Sequence, residues 1–263
     1  MKLFTIKATL MVAFLLLVGL FSWIGWKRSS ATIDFKKMEE ARLAETQKQT
    51  TDQFTNILKN IGASTDVVKP DILNSTDTLR LSMAIELLDT MKKYVYAGVL
   101  AEKLAEQQQS DWRYLQSARY FLLETYSHEQ PENEFMFTKK AKVNLEKCVA
   151  INPLNYAAKI DLAICTKNVN DVQPPSNPID LMKPAQLLLE VNRAQPNNTD
   201  ALYYLGKLAV ETQQFEKAIE RFKKLVSLQP QNQENYLELS DIYLKMGNEK
   251  ESKLWSEKAQ RIK

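Results

Sequence analysis

Residues 199–232, TDALYYLGKLAVETQQFEKAIERFKKLVSLQPQN, and residues 233–263, QENYLELSDIYLKMGNEKESKLWSEKAQRIK, lie over one another without a gap. Counted from the first residue of each stretch, large side chains recur at positions 4 (Leu202, Tyr236) and 7 (Leu205, Leu239). Small ones recur at positions 8 (Gly206, Ser240) and 20 (Ala218, Ser252). Steps of three and four put positions 4, 7, 8 and 11 on one face of a helix. A second helical pattern follows in each stretch, with Phe222 and Leu225 at positions 24 and 27 of the first. Each stretch therefore predicts two antiparallel helices. The small residues let the pair approach closely, and the large ones fill the space between them. Gly247 supplies a turn conformation that residues with a Cβ resist. Pro230 ends the second helix.

The pattern continues towards the N-terminus in stretched form. Pro153, Pro196 and Pro230 are each followed two residues later by asparagine (Asn155, Asn198, Asn232), at separations of 43 and 34 residues. The unit opening at Tyr156 places Leu162 and Ala163 at positions 7 and 8, with about nine residues inserted around KNVNDVQPPSNP (167–178), too proline-rich for helix. The preceding unit, Gln109 to Asn155, sets Trp112 and Leu115 at 4 and 7, or else Ala118 at 7, and its excess length falls around SHEQPENE (127–134). Thr78 to Gln108 reads as a short, degenerate unit. The expected fold is all-α: about five antiparallel helix pairs over residues 77–263, stacked as an α-solenoid. Only 6 glycines in 263 residues, about 2% against a usual ~7%, fit helices and leave no glycine cluster for cradling phosphate.

The first 76 residues read differently. After a short basic tail (1–7), residues 8–26 run ATLMVAFLLLVGLFSWIGW without a charge. Nineteen residues at 1.5 Å each approach the ~30 Å of a bilayer core. Trp23 and Trp26 close the stretch where interfacial aromatics belong. A cleaved signal peptide would have a shorter apolar run and small residues after it. The expectation is one uncleaved transmembrane helix in an inner (cytoplasmic) membrane, with the remainder exported to the periplasmic side. Residues 27–76 are expected to form a helical stalk and linker, polar over Glu45–Gln53, that could self-associate.

The two stretches at 199–263 resemble tetratricopeptide repeats, and the layout of anchor plus repeats is similar to bacterial membrane-anchored tetratricopeptide proteins. The resemblance implies a scaffold or adaptor in envelope assembly, secretion or maturation. Its partners would be proteins or peptides held on a concave face lined by the first helices. It also implies which residues face that groove, at positions 2, 5, 9, 12 and 13. The candidates are Arg113 and Tyr120 around Trp112; Ile160, Ile164, Lys167 and Asn168 in the stretched unit; Asp200, Tyr203, Lys207 and Glu211 in the next; and Leu237 and Asp241 in the last. The alternative is a structural or oligomerisation module without a peptide ligand.

Other classes are disfavoured. Thirty-five basic against 32 acidic residues give a net charge of +3, too balanced for a nucleic-acid binder. One histidine, His128, leaves no histidine-based metal site or acid–base pair. No phosphate-loop, zincin or nucleophile-elbow motif stands in the chain, so no enzyme, cofactor or metal is expected. Cys148 and Cys165 read either as two buried thiols or as one disulfide between neighbouring helices.

Overall fold

The computed structural model describes residue 72 and residues 75–127 and 131–262, the side chains of 126–127 and 131–133 excepted. The expected anchor over 8–26 and nearly all of the expected stalk and linker lie outside the described residues. Among those described, no helix is long and apolar enough to cross a membrane.

The described residues form ten α-helices and no strand. They are α1 (Thr78–Thr90), α2 (Tyr94–Gln108), α3 (Asp111–Ser127), α4 (Pro131–Ile151), α5 (Tyr156–Val172), α6 (Lys183–Ala194), α7 (Thr199–Glu211), α8 (Phe215–Leu228), α9 (Gln233–Lys245) and α10 (Glu249–Gln260). A 3₁₀ turn, Pro178–Met182, precedes α6. Each helix packs on its neighbours in sequence. The result is the expected five helix pairs, α1–α2 through α9–α10.

The Pro-x-Asn period has a local cause. In each case the asparagine amide closes a tight turn onto the residue before the proline: Asn155 to Asn152 O at 3.1 Å, Asn198 to Gln195 O and Asn232 to Gln229 O at 3.0 Å. Proline suits the second place of such a turn because its φ is already fixed there. The same asparagine then caps the next helix. Its Oδ1 accepts from the amide of Ala158 (3.1 Å), Ala201 (2.9 Å) or Glu234 (3.1 Å). One such cap contributes about 1 kcal/mol.

The turn inside a pair is also repeated. Position 15 is left-handed in three units: Lys92 (φ 55°), Gln213 (φ 57°) and Gly247 (φ 76°). Two residues before each, the helix has run out; one residue after, an amide reaches back five residues. These bonds are Lys93 to Leu88 O, Gln214 to Ala209 O and Asn248 to Tyr243 O, at 2.8, 2.7 and 2.8 Å. This is the closing geometry that a left-handed residue makes possible. It also establishes that the degenerate first unit keeps the register of the others, with Thr78 as its first residue.

Within a pair, one small residue sets the spacing. A Cβ on Gly206 would sit 2.7 Å from Phe222 Cε2. In the last unit Ser240 fills the same place, and its hydroxyl donates to Ser252 O at 2.8 Å. Between α2 and α3 the same device appears again: a Cβ on Gly98 would meet the Phe121 ring at 3.2 Å, and Ser117 Oγ donates to Gly98 O at 2.7 Å.

Three expectations need correction. The second unit begins at Asp111, not Gln109. Tyr114, Ala118 and Phe121 then occupy positions 4, 8 and 11 and are buried, while Trp112 is 51% exposed. Its extra length lies mainly in the helices: α3 and α4 have 17 and 21 residues against 13 and 14 in α7 and α8. Pro131 starts α4, where its missing N–H costs nothing. Third, residues 167–172 are not loop but the end of α5; the helix stops only where Gln173 meets Pro174 and Pro175. Cys148 and Cys165 are free, fully buried thiols, and burial pushes them up to about 11 and about 12.

Two substitutions test this packing. Gly206→Leu should overpack the α7–α8 contact and cost about 1–3 kcal/mol or more, lowering the thermal midpoint; an unchanged melt would refute the register. Gln213→Gly should raise the midpoint, because it relieves a left-handed backbone worth about 1 kcal/mol to a residue with a Cβ. A lowered midpoint would contradict that turn.

Candidate functional site

The first helices α3, α5, α7 and α9 stand side by side, and their neighbouring faces are joined by a repeated polar link. Position 9 of one helix meets position 6 of the next. Arg119 Nε lies 3.0 Å from Asp161 Oδ2, and Lys207 Nζ lies 2.7 Å from Glu238 Oε1. Position 5 meets position 2 in the same way where Tyr203 OH donates to Glu234 Oε1 at 2.9 Å. In both ion pairs the cation is exposed and the carboxylate largely covered, so each contributes on the order of 1 kcal/mol. Their effect here is on direction: they tie up polar groups on the shared face and fix which side chains remain open.

Between α5 and α7 position 9 is Ile164 and position 6 is Tyr204, so no ion pair forms at that level; the two helices are joined further along by Lys167 and Glu211, 3.2 Å apart. A pocket of about 320 Å³ opens at this place, floored by Ala163, Leu188 and Leu208 and bordered by Ile164, Tyr203 and Tyr204. Asn168, Lys167, Lys207 and Glu211 form its polar rim. Lys167 Nζ is held by Asp171 (2.7 Å) and Glu211 (3.2 Å). Burial opposes its charge, but the hydrogen bonds to Asp171 and Glu211 together with the charges of both carboxylates outweigh it and raise its pKa. Tyr203 is raised far above the ordinary phenol range, first by burial and then by its bond to Glu234. It stays a neutral donor, and its ring meets Tyr204 and Phe222 edge-on at 5.3 and 5.8 Å.

Six of the twelve predicted groove residues thus converge on one pocket: Ile164, Lys167, Asn168, Tyr203, Lys207 and Glu211. Asp200 lies beside a second hollow of about 390 Å³, together with Arg119 and Asp161. Leu237 is 47% exposed on α9, and Asp241 pairs with Lys245 at 2.6 Å. Three candidates are more covered than an open groove face implies. Arg113 turns to the preceding unit, where Nη2 donates to Ser82 Oγ at 3.0 Å. Tyr120 is 7% exposed and stacks on Tyr94 with centroids 6.4 Å apart. Both follow from the two-residue register error, which makes them positions 3 and 10. Ile160 is 6% exposed because it joins the core with Leu188, Val191, Ala201 and Leu205, and what remains open of it lines the second hollow beside Asp200. Sequence reasoning missed Arg119, the true position 9 of its unit. It also missed Tyr204, Leu208 and Pro184, whose signal was their place at positions 6 and 10 and just after the insertion.

Residues 199–232 and 233–263 each match the tetratricopeptide repeat family. Solved structures share the fold of the body. MamA from Desulfovibrio magneticus RS-1, residues 41 to the end, aligns with a TM-score of 0.57 at 15% identity, covering 72% of this chain and 96% of that one. A second MamA crystal structure aligns at 0.54 and 17% identity, over 67% and 92% of the two chains. YrrB, characterised as a tetratricopeptide protein with an unusual peptide-binding site, aligns at 0.52 and 15% identity, over 71% and 87%. At these identities the likeness is one of fold. No curated protein matches the chain in sequence. Residues 199–263 are tetratricopeptide repeats, and the described body shares its helical fold with these structures.

Asp161 gives a pH test of the link. Burial raises its pKa, and Arg119 pulls it back down. Arg119→Met should raise it further. A carboxyl with a raised folded-state pKa destabilises the fold as pH climbs through that pKa, because the unfolded chain ionises more easily. The stability gap between parent and variant in urea should therefore widen from acid to neutral pH; a gap independent of pH would contradict the pairing.

Proposed function

We propose that this chain is a membrane-anchored scaffold whose first-helix face captures an extended segment of a protein partner. The pocket between α5 and α7 takes one large apolar side chain of that segment. The carrying observation is the pocket at Ile164 and Tyr204, which stand at the level where the neighbouring first helices meet through ion pairs. Its 320 Å³ lie at the low end of the ~300–1,000 Å³ typical of ligand pockets, which suits one side chain better than a cofactor. Asn168 on the rim offers both a donor and an acceptor to a passing peptide backbone. Lys167, Lys207 and Glu211 are already engaged with partners of this chain, so they limit what enters rather than supply bare charge. Peptide binding by YrrB on the same kind of fold supports the reading.

The apolar run of residues 8–26 supports the anchored part of the proposal, and a short basic tail before it favours export of the body. A role in assembly, secretion or maturation at the bacterial envelope follows from that placement.

Ile164→Gln combined with Lys207→Ala tests the pocket. The variant should melt close to the parent and lose its partner in a pull-down from membrane extract, whereas Leu154→Gln, at a 71% exposed site in the α4–α5 turn, should keep it. Equal recovery by both would refute the site. Protease added to intact cells and to cells with a permeabilised outer layer tests export. The body should be cut only in the second; protection in both would place it on the cytoplasmic side.

A further inference from the structure

We propose that the hollow between the second helices α6 and α8 binds an acidic segment of a partner protein, with a glutamate side chain of that segment set against Lys217 and Arg221. The repeat register shows what is missing there. It is counted from the buried residues at positions 24 and 27: Ala101 and Leu104, Leu145 and Cys148, Leu188 and Val191, Phe222 and Leu225. Position 25 of one second helix then meets position 19 of the next. From α2 to α4 this contact is Glu102 to Lys140 at 2.7 Å, and from α4 to α6 it is Glu146 to Lys183 at 3.4 Å. From α8 to α10 the two places hold Lys223 and Glu251, with the charges exchanged. From α6 to α8 they hold Leu189 and Lys217: the cation is kept and the carboxylate is gone. A second carboxylate of α2 has no counterpart either. Glu106, at position 29, takes Lys147, at position 26 of α4, at 3.1 Å. In α6 position 29 is Arg193, and Lys224, at position 26 of α8, turns to Pro196 O at 2.6 Å.

A hollow of about 580 Å³ opens at this junction. Leu189 and Leu208 give it an apolar wall, and Leu181 and Met182, 53 and 61% exposed, line it from the insertion. Lys217 and Arg221 stand on it one turn apart on α8. Among the described residues neither forms a salt bridge: Lys217 Nζ donates to Gln214 Oε1 at 2.7 Å, and Arg221 Nη1 to Leu205 O at 3.1 Å. Arg221 is half-buried, and the water lost there lowers its pKa more than the charge of Glu220 restores it. Glu220 is exposed and lies outside the lining. Two acids do border the hollow, Asp171 and Glu211, and Lys167 holds both. A guanidinium and an ammonium beside an apolar wall match a carboxylate flanked by apolar side chains. Glutamate is the acid that the array itself sets against these cations, as where Glu102 lies 9% exposed between Lys140 and Lys147. Lys167 and Glu211 also border the α5–α7 pocket, but the contacts proposed here are made by α6 and α8, and either site can fail alone.

The experiment presents the detergent-solubilised full-length chain to two immobilised libraries of random nonapeptides, one with glutamate fixed at the centre and one with glutamine. The best glutamate peptides should bind about tenfold more tightly than their glutamine counterparts and carry leucine, isoleucine, methionine or phenylalanine beside the glutamate. Arg221→Gln should remove most of that preference, and so should Lys217→Gln, which is at an exposed site and keeps the test sound should Arg221→Gln unfold. Leu189→Glu should remove it too, by supplying the carboxylate from within, and should melt close to the parent, as α2 folds with Glu102 at that place. Ile164→Gln should leave the preference intact. Equal binding of both libraries, binding of neither, or a preference that survives Lys217→Gln and Leu189→Glu overturns the proposal. A preference lost in Ile164→Gln and kept in Lys217→Gln assigns the acid to the α5–α7 pocket and overturns it as well.

Discussion

Phe222 occupies the space that a side chain on residue 206 would need, and the rest of the array is arranged around that closeness. With only a hydrogen at Gly206, α7 can lie against α8 at a distance where their large residues interlock. The spacing inside the pair then decides which faces of α7 are hidden and which are left to meet neighbouring units. Ser240 keeps the same spacing in the last unit with a hydrogen bond in place of bare contact, and Gly98 allows a similar approach between the first and second pairs, where it faces Phe121. None of these contacts is large in energy. They matter because tight helix pairing is a geometric condition that every later contact inherits.

Given that spacing, first helices fall side by side with positions 9 and 6 facing each other. Where both are charged, the shared face is closed by an ion pair; where they are isoleucine and tyrosine, it opens. The pocket is therefore a local exception to a rule that the same fold enforces on both sides of it. The insertion after α5 contributes to it as well, since Pro184 at the start of α6 forms part of the wall.

The units at 199–263 were legible in sequence because glycine, serine, alanine and phenylalanine fall where only particular sizes fit. The Pro-x-Asn marks were legible because one asparagine both closes a turn and caps a helix. The second unit was not. Trp112 has the size expected of position 4, yet it lies on the surface with the Arg113 guanidinium 3.8 Å from its ring centroid. Tyr114 takes the buried place. Periodicity alone cannot separate two aromatic residues two positions apart, and the deciding signal was the small residue Ala118 at position 8. That slip carried Arg113 and Tyr120 to the wrong face and hid Arg119. The stretched unit misled for another reason. Its prolines mark the end of α5 correctly, but the six residues before them, free of proline and tied by the Lys167–Asp171 pair, continue the helix. Ile160 was placed on the right helix; its burial depended on α6 and α7 closing over it, which no local pattern encodes.

The central claim is that a partner segment lies across the first-helix face at the α5–α7 pocket. The most direct measurement places a photoreactive residue at position 164 of the full chain in living cells, and another at the exposed Glu220 site on α8. Irradiation should give one defined protein adduct from position 164 and none from position 220. No adduct from 164, or the same adducts from both positions, would contradict it.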